Sequence, residues 1–351
     1  MRPFAESLIA RARADKQTIV LPEGDDRRTL IAAETILRDD AANVIILGDA
    51  YEIAAAPYNL EGAQIIDPRT DSARQELADA FYELRKHKGM TPEKALEMMD
   101  DVIYFGTMMV KQGMADGMVT GACHPTSHVL RASLQILKTA PGFKFVSTFM
   151  VMVMKNDTRF GMDGVMIFSD CGLNINPDPE MLANIGIDTA RNWEMLTETP
   201  ARVAFLCHST YGSAAKNPDR DKVIEAVRIA QELAPDIMLD GEMQFDAAII
   251  PSVGASKAPD SPVAGKANVL IFPDLDAGNI AKKAVKHLAG AEAYGPVTQG
   301  IAYPVGDLSR GATVEDIIGN IAIVCIQSQN KKREDARRAA EAAKKAEEAA
   351  E

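Results

Sequence analysis

A hydroxyl, a guanidinium and a carboxylate stand close together near the C-terminal end of the chain: Ser309, Arg310 and Asp316. They fall in the stretch Gly295 to Ile318, which reads as a loop followed by a helix. Gly306 and Gly311 bracket Asp307, Leu308, Ser309 and Arg310, and Thr313 occupies an N-cap position ahead of the apolar pattern Val314, Ile317, Ile318, Ile321. Backbone N–H groups at a helix start favour anions, and an arginine fork matches phosphate oxygens. Asp316, one turn in, could take a proton. The same residues also read as a capping box, Thr313-Val-Glu-Asp316, with Asp316 reaching back to the Thr313 backbone. On the pattern alone the cap is the favoured reading, and the base stays open beside it.

The elements that would position this cluster alternate between strand and helix. Thr18 to Pro22 is a short apolar strand, and Glu23-Gly-Asp-Asp-Arg-Arg28 turns it into a helix carrying Leu30, Ile31, Ala33 and Ile36. Val44 to Leu47 and Ala63 to Asp67 repeat the rhythm, which implies a largely parallel sheet covered on both faces. Ser72 to His87 is an amphipathic helix ending in the basic cluster Arg85-Lys-His-Lys88 before Gly89, a composition that suits a helix C-terminus. Residues 92 to 113 form a methionine-rich helical scaffold. A strand over Ala115 to Ala122 then enters a helix through Cys123-His-Pro-Thr-Ser-His128, which puts Thr126 and Arg131 in the first turns of a helix after a strand, the usual edge of an α/β cleft. From Pro141 onward strands at 145–154, 164–170, 202–207, 237–239 and 268–272 alternate with helices, a second α/β domain.

At 351 residues there is length for two domains, and 47% hydrophobic with 25% charged residues supplies an ordinary globular core. A formal charge of −12 excludes a broad basic surface for nucleic acid or anionic lipid. The longest apolar run, Phe145 to Met154, is too short to cross a bilayer, and the N-terminus lacks a signal-peptide core. Cys123, Cys171, Cys207 and Cys325 are spread without a CxxC, which points to reduced thiols in the cytoplasm and no zinc site. Cys171 reads as a buried, inert thiol. No GxGxxG, P-loop or GxSxG elbow is present, so dinucleotide, nucleotide-phosphate and serine-hydrolase chemistries lack their fingerprints. Lys331 to Glu351 is almost wholly Lys, Arg, Glu, Asp and Ala, a helical tail with no apolar face, expected outside the core.

The stretch GPVTQG followed by PVGDLSRGATVEDII resembles the C-terminal signature of the phosphate acetyltransferase family, also called phosphotransacetylases. ADGMVTGACHPTSHVLRASLQI, FSDCGLNINPD (168 to 178), LDGEMQFDAAI (239 to 249) and KAPDSPVAGKANVLIFPDLDAGN (257 to 279) carry the likeness over roughly residues 10 to 328. The resemblance implies two α/β/α domains with an active-site cleft between them, similar to isocitrate and isopropylmalate dehydrogenases. Residues 1–140 and 293–330 would form the first domain and 141–292 an inserted second domain that joins a homodimer. It implies reversible transfer of acetyl between coenzyme A and phosphate, with acetyl-CoA and acetyl phosphate as the other substrates, no cofactor and no metal. Asp316 would then be the base for the thiol, Arg310 the seat of the phosphate and Ser309 a donor to the oxyanion. Arg85, Arg131 and Thr126 would bind substrate, while His87 stays a bystander. The chain departs from the family at Tyr211, where relatives carry a lysine. A phosphate butyryltransferase with longer acyl chains, a β-decarboxylating dehydrogenase and a non-catalytic acyl-CoA sensor remain as alternatives.

Overall fold

In the computed structural model, which describes residues 3–155 and 158–348, the apolar runs become strands. Thr18–Leu21 is β1, Asn43–Leu47 β2, Gln64–Ile66 β3 and Gly117–Thr120 β4. Ser147–Val153 is β5, Val165–Ser169 β6, Arg202–Leu206 β7, Met238–Met243 β8, Val269–Ile271 β9, Glu292–Gln299 β10 and Val305–Asp307 β11. The chain divides into one unit made of Met1–Lys138 with Tyr303–Glu351 and a second made of Thr139–Ala302.

In the first unit the strands lie in the order β3-β2-β1-β4-β11. All the pairings there are parallel. β4 is buried at every position, as a strand covered on both faces must be. The helix Val314–Glu348 packs close to this sheet, because Gly306 leaves room for it: a Cβ there would lie 2.0 Å from Asn320 Oδ1. In the second unit the order is β10-β5-β6-β9-β7-β8. β5 runs antiparallel to β10 and β6, and the remaining pairs are parallel. Every residue of β5 is buried.

Two sequence expectations need correction. The stretch from Gly295 is not a loop leading to a helix, since β10 and β11 both lie in or across it. Pro296 hides the strand signal. It sits where the β10–β5 register shifts between Tyr294 and Val297, a place where a missing N–H costs no ladder bond. β10 lies in the second unit, and the first unit resumes at Tyr303. The scaffold over 92–113 is two helices, Pro92–Met98 and Val102–Lys111, parted at Asp101, whose carboxylate accepts from Ile103 N and Tyr104 N and so starts a new helix. The charged tail continues the Val314–Glu348 helix, its described residues mostly exposed, and its first residues make surface contacts. Lys332 Nζ lies 2.8 Å from Asp116 Oδ1, and Lys331 stands 4.6 Å from the centre of the Tyr303 ring.

Candidate active site

The strand order of the first unit places its functional loops at one edge. From β1 the chain steps outward through β2 and β3, then returns to lay β4 on the other side of β1 with β11 beyond it. Ligands in parallel α/β sheets bind beyond the C-terminal ends of the strands at such a reversal. Three segments leave the sheet there: Glu23 to Arg28 after β1, Gly121 to Thr126 after β4, and Leu308 to Thr313 after β11. The last two touch through backbone. Leu308 N donates to Thr120 O at 2.6 Å, and a Cβ on Gly121, whose φ is +102°, would meet Leu308 O at 2.6 Å. Only glycine fits both that backbone angle and that approach.

Arg28 ties the three segments together. Asp26 caps the Arg27–Arg38 helix by accepting from Arg28 N, and it also receives the Arg28 side chain, with Nη2 2.5 Å from Oδ2. Nη2 donates further to Ala122 O at 3.0 Å, while Nη1 donates to Arg310 O and Ala312 O, each at 2.9 Å. A planar fork can satisfy carbonyls on two loops at once in a way an ammonium cannot. The guanidinium hydrogen bond lowers the Asp26 pKa to about 2. Beside it, burial and the hydrogen bond to Asp26 push the Cys123 thiol up to about 12, so this exposed cysteine stays a thiol.

With its backbone held by Arg28, the turn presents Ser309 and Arg310 as exposed side chains. Asp316 is buried, at 3% exposure, in the first turn of the following helix. Its Oδ2 accepts from Thr313 N at 2.9 Å, and Thr313 Oγ1 accepts from Asp316 N at 3.2 Å. The reciprocal capping box is therefore formed, with the shorter Asp in place of Glu. Cap and cluster coexist, since the capping bond fixes Asp316 in the turn that follows Ser309 and Arg310.

Thr126 opens the helix Thr126–Ile136, and Arg131 stands exposed farther along it. The loop before this helix is anchored by Glu23, whose carboxylate accepts from Ala122 N at 2.8 Å, Cys123 N at 2.8 Å and His124 N at 3.0 Å, with His124 Nδ1 at 2.9 Å. That contact with Glu23 is the main cause raising the His124 pKa. Arg85 ends the Arg74–Arg85 helix, half-buried. Tyr104 joins the helices that carry the two arginines. Its ring meets Phe81 of the Arg85 helix edge-on at 5.7 Å and His128 of the Arg131 helix at 5.8 Å. Its hydroxyl pKa is raised by burial, opposed by the charges of Arg131 and Arg85. All six residues singled out from the sequence thus belong to the first unit.

Sequence reasoning missed Glu23, Asp26, Arg28 and Tyr104. In the sequence the first three make a charged turn, and the signal that marks them is their place between the end of a strand and the start of a helix. Tyr211 is a tether. Its hydroxyl donates to Asp240 Oδ2 at 2.5 Å, and burial followed by that bond pushes its pKa up to about 12. Cys171 is fully buried, which pushes its thiol pKa up. Among the described residues no group of His, Cys, Asp and Glu is arranged to hold a metal ion, and no helix is long and apolar enough to cross a membrane.

The phosphate acetyltransferase of Acetivibrio thermocellus is 52% identical over 328 residues, covering 93% of this chain and 98% of the relative. That of Thermoanaerobacterium thermosaccharolyticum is 50% identical over 326 residues, covering 92% and 99%. A crystal structure of a phosphotransacetylase from Streptococcus pyogenes superposes with a TM-score of 0.86 at 40% identity, covering 94% of this chain and 99% of that one. The family model for phosphate acetyl/butaryl transferase matches residues 3–325, which takes in the Glu23 to Arg28 turn, the Thr126–Ile136 helix and the Ser309 to Asp316 cluster alike, and the chain belongs to that family.

Proposed function

We propose that this protein is a phosphate acetyltransferase, exchanging acetyl between coenzyme A and inorganic phosphate: acetyl-CoA and phosphate give acetyl phosphate and CoA, reversibly. It is an acyltransferase for which coenzyme A is a substrate and not a cofactor. Membership of the family and the near full-length relatives of that name support the reading. The observation that carries it to particular residues is the Arg28 clamp, which holds the turn's carbonyls and leaves the Ser309 and Arg310 side chains exposed beside the buried Asp316.

In the direction that forms acetyl-CoA, Asp316 takes the proton of the CoA thiol and the sulfur attacks the acetyl carbonyl of acetyl phosphate. Ser309 donates to the oxyanion, and Arg310 holds the phosphate as the bond from the acyl carbon to the phosphate oxygen breaks. A carboxylate of reference pKa about 3.9 is a weak base for a thiol of about 8.5, so positioning of the two anions must supply much of the rate. Arg85, Arg131 and Thr126 are assigned to binding coenzyme A, through charge and through the start of a helix. We place the protein in the cytoplasm as a homodimer joined through its second unit. Four free cysteines, two of them buried, support the compartment, and exposed Ile280 and Leu288 on the Leu275–Leu288 helix offer apolar surface to a second copy.

The test is acetyl-CoA with phosphate, without NAD and in EDTA, with free thiol measured over time. Release that requires phosphate is expected. Release absent over a range of pH and enzyme concentration would favour the acyl-CoA sensor, and faster turnover of butyryl-CoA would favour the longer acyl chain.

A further inference from the structure

We infer that Glu23 is a positioning residue for the substrate-binding helix Thr126–Ile136: its carboxylate fills, from within the chain, the anion-binding turn that three successive N–H groups form after β4, and so leaves the phosphate to the Ser309–Arg310 turn. The inference rests on the phosphate acetyltransferase reading for its substrates and on geometry for the rest.

A strand that turns into a helix at the reversal of a parallel sheet is where α/β folds hold phosphate, on convergent backbone N–H groups. Here the N–H groups of Ala122, Cys123 and His124 converge in that way, but on Glu23, at 2.8, 2.8 and 3.0 Å. The Glu23 side chain is 1% exposed. Burial raises its pKa, yet the hydrogen bonds from His124, Cys123 and Ala122 together outweigh burial and bring it below the ordinary value, so the group filling the turn is a carboxylate. A substrate phosphate would have to displace a buried, fourfold-bonded anion to enter. Binding of anions is thereby divided: the turn after β4 serves as a rigid mount for Thr126 and Arg131, and the turn after β11, whose Ser309 and Arg310 are exposed, receives the phosphate. Hydrogen bonds to a charged group contribute more than neutral ones, so loss of the carboxylate should loosen the mount without emptying the core.

Glu23→Gln in the full-length protein tests this, because an amide must point its NH₂ at one of the N–H donors. Hydrogen–deuterium exchange over residues 122–128 is expected to quicken, and calorimetric affinity for CoA to weaken about tenfold, the equivalent of one charged hydrogen bond. The KM for phosphate should rise by less than the affinity for CoA falls, since Glu23 bonds the turn after β4 directly and reaches the turn after β11 only through the Gly121–Leu308 contact. Glu23→Asp, which keeps the charge on a shorter arm, should fall between and covers the case in which the glutamine variant does not fold. Unchanged exchange, or quickened exchange with unchanged CoA affinity, would overturn the inference. So would a rise in the phosphate KM alone, since it would put the phosphate on the turn after β4. If the wild-type protein binds CoA but releases no thiol from acetyl-CoA with phosphate, the functional reading fails while exchange and CoA affinity still decide the role of Glu23.

Discussion

Arg28 Nη1 holds the backbone carbonyl of Arg310 at 2.9 Å, so one arginine fixes the chain from which the other projects. The first has no part in the reaction as proposed, and the second depends on it for its place. The dependence can be measured. Arg28→Lys keeps the charge but cannot reach Asp26, Ala122, Arg310 and Ala312 together. Turnover is expected to fall by roughly 10²-fold, the scale of a misplacement of about 1 Å at a reacting group. Thermal melts should show a folded protein, and normal turnover in Arg28→Lys would mean that the Arg310 turn keeps its shape without the clamp.

Asp316→Asn separates capping from base catalysis. The amide oxygen can still accept from Thr313 N, so the cap should cost no more than about 1 kcal/mol of stability. If Asp316 is the base, turnover drops by roughly 10² to 10⁴-fold in a protein that melts almost normally. Near-normal turnover would leave Asp316 as a helix cap. Arg310→Ala, by contrast, should raise the KM for phosphate along with lowering the rate, because it removes charge from ground state and transition state alike.

Two truncations should behave differently. Ending the chain after Arg333 removes a segment whose described residues are mostly exposed, and stability should change by less than about 0.5 kcal/mol. Ending it after Asn330 also removes the Lys332–Asp116 pair and Lys331 from the Tyr303 ring, for a further loss of about 1 kcal/mol. Equal melting midpoints for the two would show that these contacts add nothing in solution.

Asp188, in the helix Pro179–Thr197 of the second unit, is 7% exposed, and burial, partly offset by Arg191, raises its pKa to about 7. A folded pKa above the unfolded value means that the native state binds the extra proton between roughly pH 4 and pH 7. The neutral acid is tolerated at the lower end, and stability falls as pH rises through that window. Asp188→Asn should therefore be more stable than wild type at pH 8, by an amount on the order of 4 kcal/mol at most, and match it at pH 4. A variant no more stable at pH 8 would show that the carboxylate is paired when charged.

The parallel strands were legible because runs such as Asn43–Leu47 and Val165–Ser169 are apolar and bounded by turn residues, and the helix after Thr313 because its cap and stripe agree. β10 was not, since Gly295 and Pro296 look like a turn and only pairing with β5 makes them a strand. Ser309, Arg310 and Asp316 could be found from residue type and spacing, as they lie on one continuous stretch. Glu23 and Arg28 are marked in the sequence only by their place between a strand and a helix; their roles are set by partners about a hundred and nearly three hundred residues away, and no local pattern records a contact made across a sheet edge.

Gly121 has no room for a side chain because Leu308 O would lie 2.6 Å from it, and Leu308 N is bonded to Thr120 O. The mount of Arg131 and the turn of Arg310 are therefore not independent parts: a shift of either is transmitted through backbone, which cannot yield as a side chain does. In thermodynamic terms the two substrates should be linked, CoA changing the affinity for phosphate and phosphate changing that for CoA by one and the same factor. Calorimetric titration of each in the presence and absence of the other would give that factor twice, and the two values must agree.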